Sequence, residues 1–501
     1  MSIATHDLGM SYLDDSQFVA ELIIREDRQP LPYADSRNIA TIGIGVNLKV
    51  NAYMALVLDQ LGVFSTYIGK VNADRAAAGL PALTTAESNR IYTNIVNDFE
   101  SVVSSIAIAG NGNPGTSTSE GNLQIALNAK LASYLNNSTA KFELVAGPDK
   151  VVVKKIILGY SVGPFVDTKG KQGRLDAILG NTLLHDTKEY MAVMSMFYNA
   201  EGAVPSGGGL ATAIKNGKRA EAWYEIRYNT NKSALSATPP SDATGLANRR
   251  YREADLFGLY ADATKPIPTA EAKDVYRMFT AHHKYIMDYE NRYTATNVNA
   301  GSTTIETSLN PACVILLADI AAGTTSNPNT DIATAYARWA NTGDNLTSFK
   351  STNLYYGAGA SSEIDARPYE SIILNNDILI AEDGLVIKDY TLHGGQGNDL
   401  LIGGKGNDNL YGGDGTDYLA GGEGNDKYYV TLGETVTIED KKGTNNTIYL
   451  DNQVLVQGQI YRALPGFAVE CSWFRRTPPM RSICMNVPLP DTRIFTPGEP
   501  C

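Results

Sequence analysis

The stretch GGQGNDLLI GGKGNDNLY GGDGTDYLA GGEGNDKYY fills residues 394–429 and repeats every nine residues. A fixed period without slippage is typical of a stacked solenoid. The glycines of each copy permit the positive φ angles that a tight turn demands. The eighth position is apolar or aromatic in every copy, and a flexible linker has no reason to keep such a residue in register. We therefore predict a narrow β-roll whose core contains Leu401, Leu410, Leu419 and Tyr428.

Each copy also offers oxygen ligands for a cation. The sixth position is always aspartate, and the glycine turns expose backbone carbonyls, which together make the hard oxygen set that Ca²⁺ prefers. The candidate calcium ligands are Gly394, Gly397, Asp399, Gly403, Gly406, Asp408, Gly412, Gly415, Asp417, Gly421, Gly424 and Asp426. Without metal we expect the array to be disordered, because its acids outnumber its lysines and it has little apolar area.

All four copies fit the pattern G-G-x-G-x-D-x-U-x, and the stretch resembles the RTX (repeats-in-toxin) family of type I-secreted proteins. In that family an ion sits between turns two repeats apart. The resemblance therefore implies one site between 394–399 and 412–417, and a second between 403–408 and 421–426. It also implies an extracellular protein that leaves the cell through type I secretion machinery. Residues 1–18 have neither the basic nor the apolar region of a signal peptide, so we expect export by another route.

The composition sets the broad class. A chain of 501 residues is long enough for two or three domains, since single cores rarely grow past roughly 250–300 residues. The net charge is −12 and no basic stripe stands out, which disfavours nucleic-acid binding. The longest apolar run, at 312–323, is shorter than the roughly 20 residues of a membrane-spanning helix. We expect a soluble monomer with no transmembrane segment.

A second chemical pattern lies near the N-terminus. Asp14–Ser16 offers helix N-caps, and Phe18, Leu22 and Glu26 then follow at helical spacing, so Glu26 continues an apolar stripe. A carboxyl group at the end of such a stripe is partly desolvated, which favours the protonated form that a general acid needs.

The next segment predicts a β-hairpin that carries a second acid. Tyr33 and Asp35 alternate on an extended segment, residues 36–38 give a turn, and residues 39–45 return as a strand. Two acids, one at a helix end and one on an adjacent hairpin, can face each other across a cleft. Glycoside hydrolysis commonly uses such a pair.

Four positions give this region a family resemblance. A Glu is followed by a Tyr seven residues on, an Asp nine residues on, and a Thr fifteen residues on inside T-I-G-x-G; these are Glu26, Tyr33, Asp35 and Thr41. The pattern resembles the phage-type lysozymes, the muramidases of glycoside hydrolase family 24. The resemblance implies that Glu26 is the general acid, that Asp35 orients or activates water, and that Thr41 helps to position that water. Tyr33 is a candidate substrate contact.

Downstream segments continue the resemblance over much of residues 14–262. Residues 84–106 resemble the interdomain helix of the family, and residues 191–202 resemble its buried helix. Asn199, near the end of that helix, is either a contact in the cleft or part of a helix-ending turn. The chain departs from the family at Asp27 and Val46, where Gly and His are usual, and in a longer segment at 107–185.

Two charged clusters have alternative interpretations. Arg249, Arg250 and Arg252 either grip saccharide or form a solvated face with one structural ion pair, and we favour the second. His282 and His283 lie on a helix predicted over 270–293. Adjacent helical residues point about 100° apart, so we expect no metal site there.

The predicted organisation has four segments. Residues 1–262 form an α+β lysozyme-like domain, mainly α with a small β-hairpin at the active site. Residues 263–390 form a mostly helical accessory domain, and residues 391–456 form a parallel β-roll with capping strands. Residues 457–501 form an atypical tail rich in proline and cysteine, which is either disordered or different from the usual end of the RTX family.

These features favour a secreted muramidase that cleaves the β-1,4 bond between N-acetylmuramic acid and N-acetylglucosamine in peptidoglycan. The calcium would be structural and not needed for the chemistry. An alternative is a calcium-dependent extracellular protein that binds glycan on a lysozyme fold without hydrolysing it. A wall-degrading component of a phage or a contractile system shares the chemistry. The repeats disfavour that third interpretation, because folding on calcium is useful mainly to a chain that is exported unfolded.

Overall fold

The structure is a computed structural model that divides the chain into two compact units, Met1–Ser233 with Thr238–Ala261, and Ala234–Ala237 with Asp262–Cys501. It describes residues 3, 5–8, 12–13, 29–35, 38–110, 116–180, 183, 185–230, 235–239, 243–262, 264–297, 303–323, 331–341, 345–357, 362–367, 375–381, 387–431, 434–440 and 445–454, together with the strands at 461–464, 467–475 and 480–488. The helix predicted after Asp14–Ser16, including Glu26 and Asp27, lies outside the described residues.

The first unit opens with a small antiparallel sheet of β1 (Gln29–Ala34), β2 (Ala40–Gly43) and β3 (Val46–Asn47), in that order. Tyr33 lies opposite Thr41 across the first pair of strands. The backbone N–H of Asn38 donates to the carbonyl of Asp35, 2.9 Å away, and residues 36 and 37 of the predicted turn lie outside the described residues. The hairpin expected from the alternation of Tyr33 and Asp35 is therefore confirmed.

Helices make up most of the rest of this unit. Their bounds are α1 (Asn51–Gln60), α2 (Val63–Ala77), α3 (Thr85–Ser105), α4 (Thr118–Leu135), α5 (Pro148–Leu158), α6 (Gly170–Leu179), α7 (Lys188–Asn199), α8 (Gly209–Lys215), α9 (Arg219–Arg227) and α10 (Ala243–Phe257). A short hairpin of β4 (Tyr160–Val162) and β5 (Phe165–Asp167) lies between α5 and α6. The predicted helices at 84–106 and 191–202 correspond to α3 and α7.

Helix α7 is the centre of this core. Every residue from Glu189 to Tyr198 is buried, and a helix that is apolar nearly all round must be surrounded by other elements. Helix α10 packs on α7 and carries the arginine cluster. Arg250 is 2% exposed and forms an ion pair with Glu253, which also accepts a hydrogen bond from the hydroxyl of Ser195 on α7. The favoured structural ion pair is thus present, but it is buried rather than part of a solvated face.

The second unit begins with helices α11 (Thr269–Asn297), α12 (Ile305–Ala322), α13 (Asp331–Ala340) and α14 (Asn345–Ser348). His283 on α11 is buried, its Nε2 lies 3.3 Å from the hydroxyl of Tyr355, and burial lowers its pKa to about 3. His283 is therefore a neutral core histidine at ordinary pH. Among the described residues, α12 is long and apolar enough to cross a membrane, by length and composition only.

Short parallel strands complete the second unit. They are β6 (Leu354–Tyr356), β7 (Glu363–Asp365), β8 (Ile378–Ile380), β9 (Thr391–Gly397), β10 (Leu400–Gly404), β11 (Asn409–Gly422), β12 (Lys427–Val430), β13 (Thr435–Asp440) and β14 (Thr447–Leu450). A short strand β15 (Gln453–Val454) pairs antiparallel with β14. The tail contains β16 (Tyr461–Leu464), β17 (Phe467–Arg475) and β18 (Met480–Pro488), and β18 pairs antiparallel with β13. These strands differ from the disordered tail that was one of the two expectations.

The buried ion pair of α10 gives a first test. We expect Arg250→Ala to destabilise the first unit by about 3–5 kcal/mol, because the buried Glu253 would lose the cation with which it pairs. Amide hydrogen exchange in α7 and α10 of the full chain should accelerate by roughly 100-fold to 1,000-fold or more. Arg252→Ala on the same helix is the control and should have little effect, because Arg252 is only partly buried. Unchanged exchange in the Arg250 variant would contradict the structural role.

Candidate functional site

The nine-residue repeats stack with two repeats in each turn of the solenoid. Leu401 of β10 lies beside Leu419 of β11, and Leu410 of β11 lies beside Tyr428 of β12, in parallel register. The hydrogen bonds that join successive turns span 18 residues. This arrangement confirms that the first repeat stacks on the third and the second on the fourth.

The eighth-position side chains form the core of the roll, as predicted. Leu401, Leu410 and Leu419 have no exposed surface, and Tyr428 is 1% exposed. They share one cluster with residues from outside the four repeats, which include Ile364, Leu379, Leu392, Val436, Ile438 and Ile448. The roll therefore extends in both directions beyond the segment that the motif marks.

The glycines crowd backbone carbonyls and carboxylates together. A Cβ built on Gly394 would lie 2.6 Å from the carbonyl oxygen of Gly412 and would also meet the carboxylate of Asp399. Gly415 has φ +141°, and a Cβ there would overlap the carbonyl oxygen of Gly397. Only glycine fits these positions. Because glycine has no Cβ, the oxygen atoms of repeats that stack on each other can lie close together in the turns.

The sixth-position aspartates are buried in the same region. Oδ1 of Asp417 accepts the backbone N–H of Asp399, 3.0 Å away, and Oδ1 of Asp426 accepts that of Asp408, 2.8 Å away. The Oδ2 atoms of all four aspartates are buried as well. Burial first, and then the charge of Asp399, raise the pKa of Asp417 to about 9. A cation bound beside these carboxylates would stabilise their charged form and so lower the pKa of Asp417 again.

The donor set fits calcium better than a transition metal. Among the described residues, no three His, Cys, Asp and Glu side chains converge as a metal site. An ion in the roll would therefore take two carboxylates from successive turns and the rest of its ligands from backbone carbonyls. Hard oxygen ligands in a flexible cage of this kind are typical of Ca²⁺.

A turn upstream of the repeats joins the same stack. The backbone N–H of Asp377 donates to Oδ1 of Asp399 at 2.8 Å, as Asp399 does to Asp417. Strand β8 then pairs with β10, with Leu379 beside Leu401. The roll thus begins upstream of residue 391, which is the first residue of the predicted roll. The segment Asn376-Asp377-Ile378-Leu379 keeps the N-D-x-L part of the repeat, which is the signal that could have revealed it.

Downstream, the stack ends in turns that lack the aspartate. The side chain of Asn446 accepts the backbone N–H of Asp426 at 2.8 Å, in the place that an aspartate holds in the repeats. Val436 lies beside Asp417 in the other column. Strands β13 and β14 follow these turns and correspond to the capping strands that the sequence predicts.

The helical layer of this unit is fastened to the roll beside a sixth-position aspartate. The indole N–H of Trp339 on α13 donates to the carbonyl of Asn398 at 2.7 Å. Asn345 of α14 donates to the carbonyl of Trp339 and accepts from the side chain of Asn398, at 2.7 and 3.1 Å. Asn398 directly precedes Asp399, so the packing of these helices depends on the geometry of that turn.

The hairpin of the first unit holds three of the predicted catalytic and substrate-binding residues. The Asp35 carboxylate accepts the backbone N–H of Ile39 at 2.8 Å, and the Thr41 hydroxyl donates to the carbonyl of Ile39 at 2.9 Å. Tyr33 and Thr41 are buried, with 4% and 3% of their surface exposed. The structure therefore brings Tyr33, Asp35 and Thr41 together, while Glu26 lies outside the described residues.

A tyrosine that sequence reasoning missed ties this hairpin to the central helix. The hydroxyl of Tyr198 on α7 donates to the carbonyl of Ile44, inside T-I-G-I-G, at 3.1 Å. Gly43 in the same motif has φ +64°, and a Cβ there would lie 2.8 Å from a methyl carbon of Leu144. Asn199 follows Tyr198 as the last residue of α7 and is exposed. The predicted substrate residue Asn199 therefore ends the helix that supports the hairpin.

Comparison with known proteins identifies one part of the chain. The model of the RTX calcium-binding nonapeptide repeat matches residues 393–428 in four copies. No curated protein and no solved structure matches the chain. With the β-solenoid geometry, this match implies that the C-terminal roll binds calcium as a structural ion.

The buried carboxylates give a direct test of the calcium sites. We expect Asp417→Ala to remove the ion between the first and third repeats and to weaken calcium binding at least about tenfold, since a site loses one of its two carboxylates. Asp414→Ala is the matched control, because Asp414 belongs to the same repeat but is exposed. Calcium titration calorimetry on the full chain measures both. Equal binding by the two variants would refute the assignment.

Because helix α13 is attached to the roll, calcium should stabilise this helix as well as the repeats. We expect chelation to remove hydrogen-exchange protection from residues 394–429 and also from α13, because Trp339 would lose the Asn398 carbonyl. Protection in α7 of the first unit is the internal reference and should stay the same. Full protection of α13 in the chelated protein would show that the helices fold without the roll.

Proposed function

We propose that this protein is a secreted muramidase that cleaves the β-1,4 bond between N-acetylmuramic acid and N-acetylglucosamine in peptidoglycan. The observation that carries the proposal is the hairpin with Tyr33, Asp35 and Thr41, whose T-I-G-x-G strand has the spacing of the phage-type lysozymes. Further support comes from the central helix α7, which reaches this strand through Tyr198.

The chemistry assigns one task to each carboxyl group. Glu26 protonates the oxygen of the leaving sugar, and Asp35 activates a water molecule on the opposite face of the ring. The hydrogen bond from Ile39 fixes the orientation of the Asp35 carboxylate. The Thr41 hydroxyl uses its proton on the carbonyl of Ile39, so its oxygen meets the water as an acceptor.

The family resemblance favours inversion at the anomeric carbon. Inverting enzymes leave roughly 6.5–9.5 Å between their carboxyl groups, which makes room for the attacking water. In this mechanism Asp35 acts as a base and forms no covalent bond with the sugar.

The calcium-binding roll serves export and folding in this proposal. Its ions are held by the sixth-position aspartates and by glycine carbonyls of repeats that stack two apart. When calcium is scarce inside the cell, the acid-rich repeats stay unfolded, and type I secretion machinery exports an unfolded chain. Outside the cell calcium binds, and the roll folds together with the helices that pack on it. The ions take no part in breaking the glycosidic bond.

The second candidate is an extracellular protein that binds glycan and does not hydrolyse it. Asp27 favours it, because a second acid takes the place of the glycine that usually follows the catalytic Glu. A neighbouring carboxylate changes the pKa of a general acid and competes for its hydrogen-bond partners.

The deciding experiment measures release of reducing sugar from purified peptidoglycan. We expect Glu26→Gln to lower the rate by roughly 100-fold or more, because an amide cannot donate the proton that the leaving oxygen needs. Asp74→Asn on α2 is the control, since it removes one exposed acid away from the hairpin.

Three outcomes separate the candidates. Loss of activity in the Glu26 variant alone supports the muramidase. Full activity in that variant would contradict it. Binding of peptidoglycan by the wild type without release of sugar would favour the second candidate.

A further inference from the structure

Residues 107–110 and 116–150 belong to the part of the chain that is longer than in compact lysozymes, and they contact the acid hairpin. Between the described residues, three hydrogen bonds join them to it. Glu120 accepts the backbone N–H of Ala34 at 2.7 Å, the backbone N–H of Gly110 donates to the side chain of Asn38 at 3.1 Å, and that of Leu144 donates to the carbonyl of Pro30 at 2.8 Å. The segment therefore contacts β1 at both ends and also contacts the turn.

Glu120 is the central link in this contact. It lies in the first turn of α4 and is 1% exposed. Its Oε1 accepts the N–H of Ala34, and its Oε2 accepts the N–H of Ser117 at 2.8 Å. The hydroxyl of Ser117 in turn accepts the N–H of Glu120, which completes a capping box. One carboxylate thus begins a helix and holds a strand at the same time.

The hydrogen bond from Ala34 to Glu120 affects Asp35 because of where Ala34 lies in the hairpin. Among the described strands, β1 is at the edge of the three-stranded sheet, so the N–H groups on its outer side face no other strand there. A charge-assisted hydrogen bond to a buried carboxylate is stronger than one between neutral groups. Ala34 is also the residue immediately before Asp35. The backbone that carries Asp35 is therefore fixed on one side by Ile39 and on the other by Glu120.

We propose that Glu120 is a positioning residue for Asp35, and that helix α4 with the residues up to Leu144 stabilises the hairpin that carries Asp35. This inference rests on the proposed muramidase function. Glu120 touches neither substrate nor the reacting atoms in this role. It keeps the end of β1 in place, so that the Asp35 carboxylate stays where it can activate water. A small displacement of a catalytic group is enough to lower the rate strongly.

The test compares the two capping boxes of the first unit. Thr84 and Glu87 cap α3 with the same pattern of hydrogen bonds, and Glu87 pairs with Arg75 of α2 instead of with a strand of the hairpin. Glu87→Ala and Ser117→Ala therefore remove a helix cap and leave the bond from Ala34 to Glu120 in place. Glu120→Ala removes both the cap and the link, whereas Glu120→Gln keeps an acceptor for Ala34.

We expect Glu120→Ala to lower kcat for peptidoglycan hydrolysis about tenfold or more, with KM within about twofold, because the substrate contacts are retained. Glu120→Gln should recover most of kcat, and the Glu87 and Ser117 variants should keep it. Hydrogen exchange of the Ile39 amide, which bonds to Asp35, should accelerate in Glu120→Ala only. Equal kcat in Glu120→Ala and the wild type would overturn the proposal, as would an equal loss in Ser117→Ala.

The exchange measurement separates this inference from the function on which it rests. If the wild type releases no sugar, the muramidase proposal fails, and the exchange of the Ile39 amide still decides whether Glu120 holds the hairpin. If the wild type is active and Glu120→Ala changes neither kcat nor that exchange, only the positioning role fails.

Discussion

The second unit depends on carboxylates that are buried one above another. Asp399 and Asp417 lie in successive turns of one column, and both are almost fully buried. The effective cost of burying an ion is several kcal/mol, and a second like charge nearby adds to it. A divalent cation between the two carboxylates offsets this cost. Without the cation, the cost of burying both carboxylates destabilises the folded roll. Because Trp339 attaches the helices to the roll, we expect calcium to stabilise a larger part of the chain than the repeats themselves.

The roll was predictable from sequence because each repeat position has a fixed structural task. Glycine is required where carbonyls crowd, aspartate where oxygen is needed, and leucine where the core is narrow. The turn at Asp377 escaped the prediction because it lacks the paired glycines and lies 22 residues before Asp399, where the repeats keep a spacing of 18. The contact of Trp339 with the carbonyl of Asn398 leaves no mark in the sequence, since any residue supplies a carbonyl.

The acid hairpin was predictable for a similar reason. Tyr33, Asp35 and Thr41 are close in the chain, so alternation and turn residues were enough to place them on one hairpin. The side chains that hold this hairpin in place come from positions distant in the sequence. Glu120 is 86 residues from Ala34, and Tyr198 is 154 residues from Ile44. The sequence S-x-x-E at 117–120 indicates a helix start, but its second task, holding β1, arises only from tertiary packing. Local patterns therefore give the candidate reacting groups, and the contacts that hold them in place arise only from the fold.

The neutral end of the solenoid has a consequence for association between molecules. Asn446 makes the hydrogen bond that an aspartate would make, but it carries no charge. A roll that ended on another aspartate would present half of an ion site, and a second molecule could complete that site by sharing a cation. Heterologous contacts of this kind do not close, and they build fibres. With Asn446 in this place, the downstream end of its column presents no carboxylate with which a second molecule could share a cation.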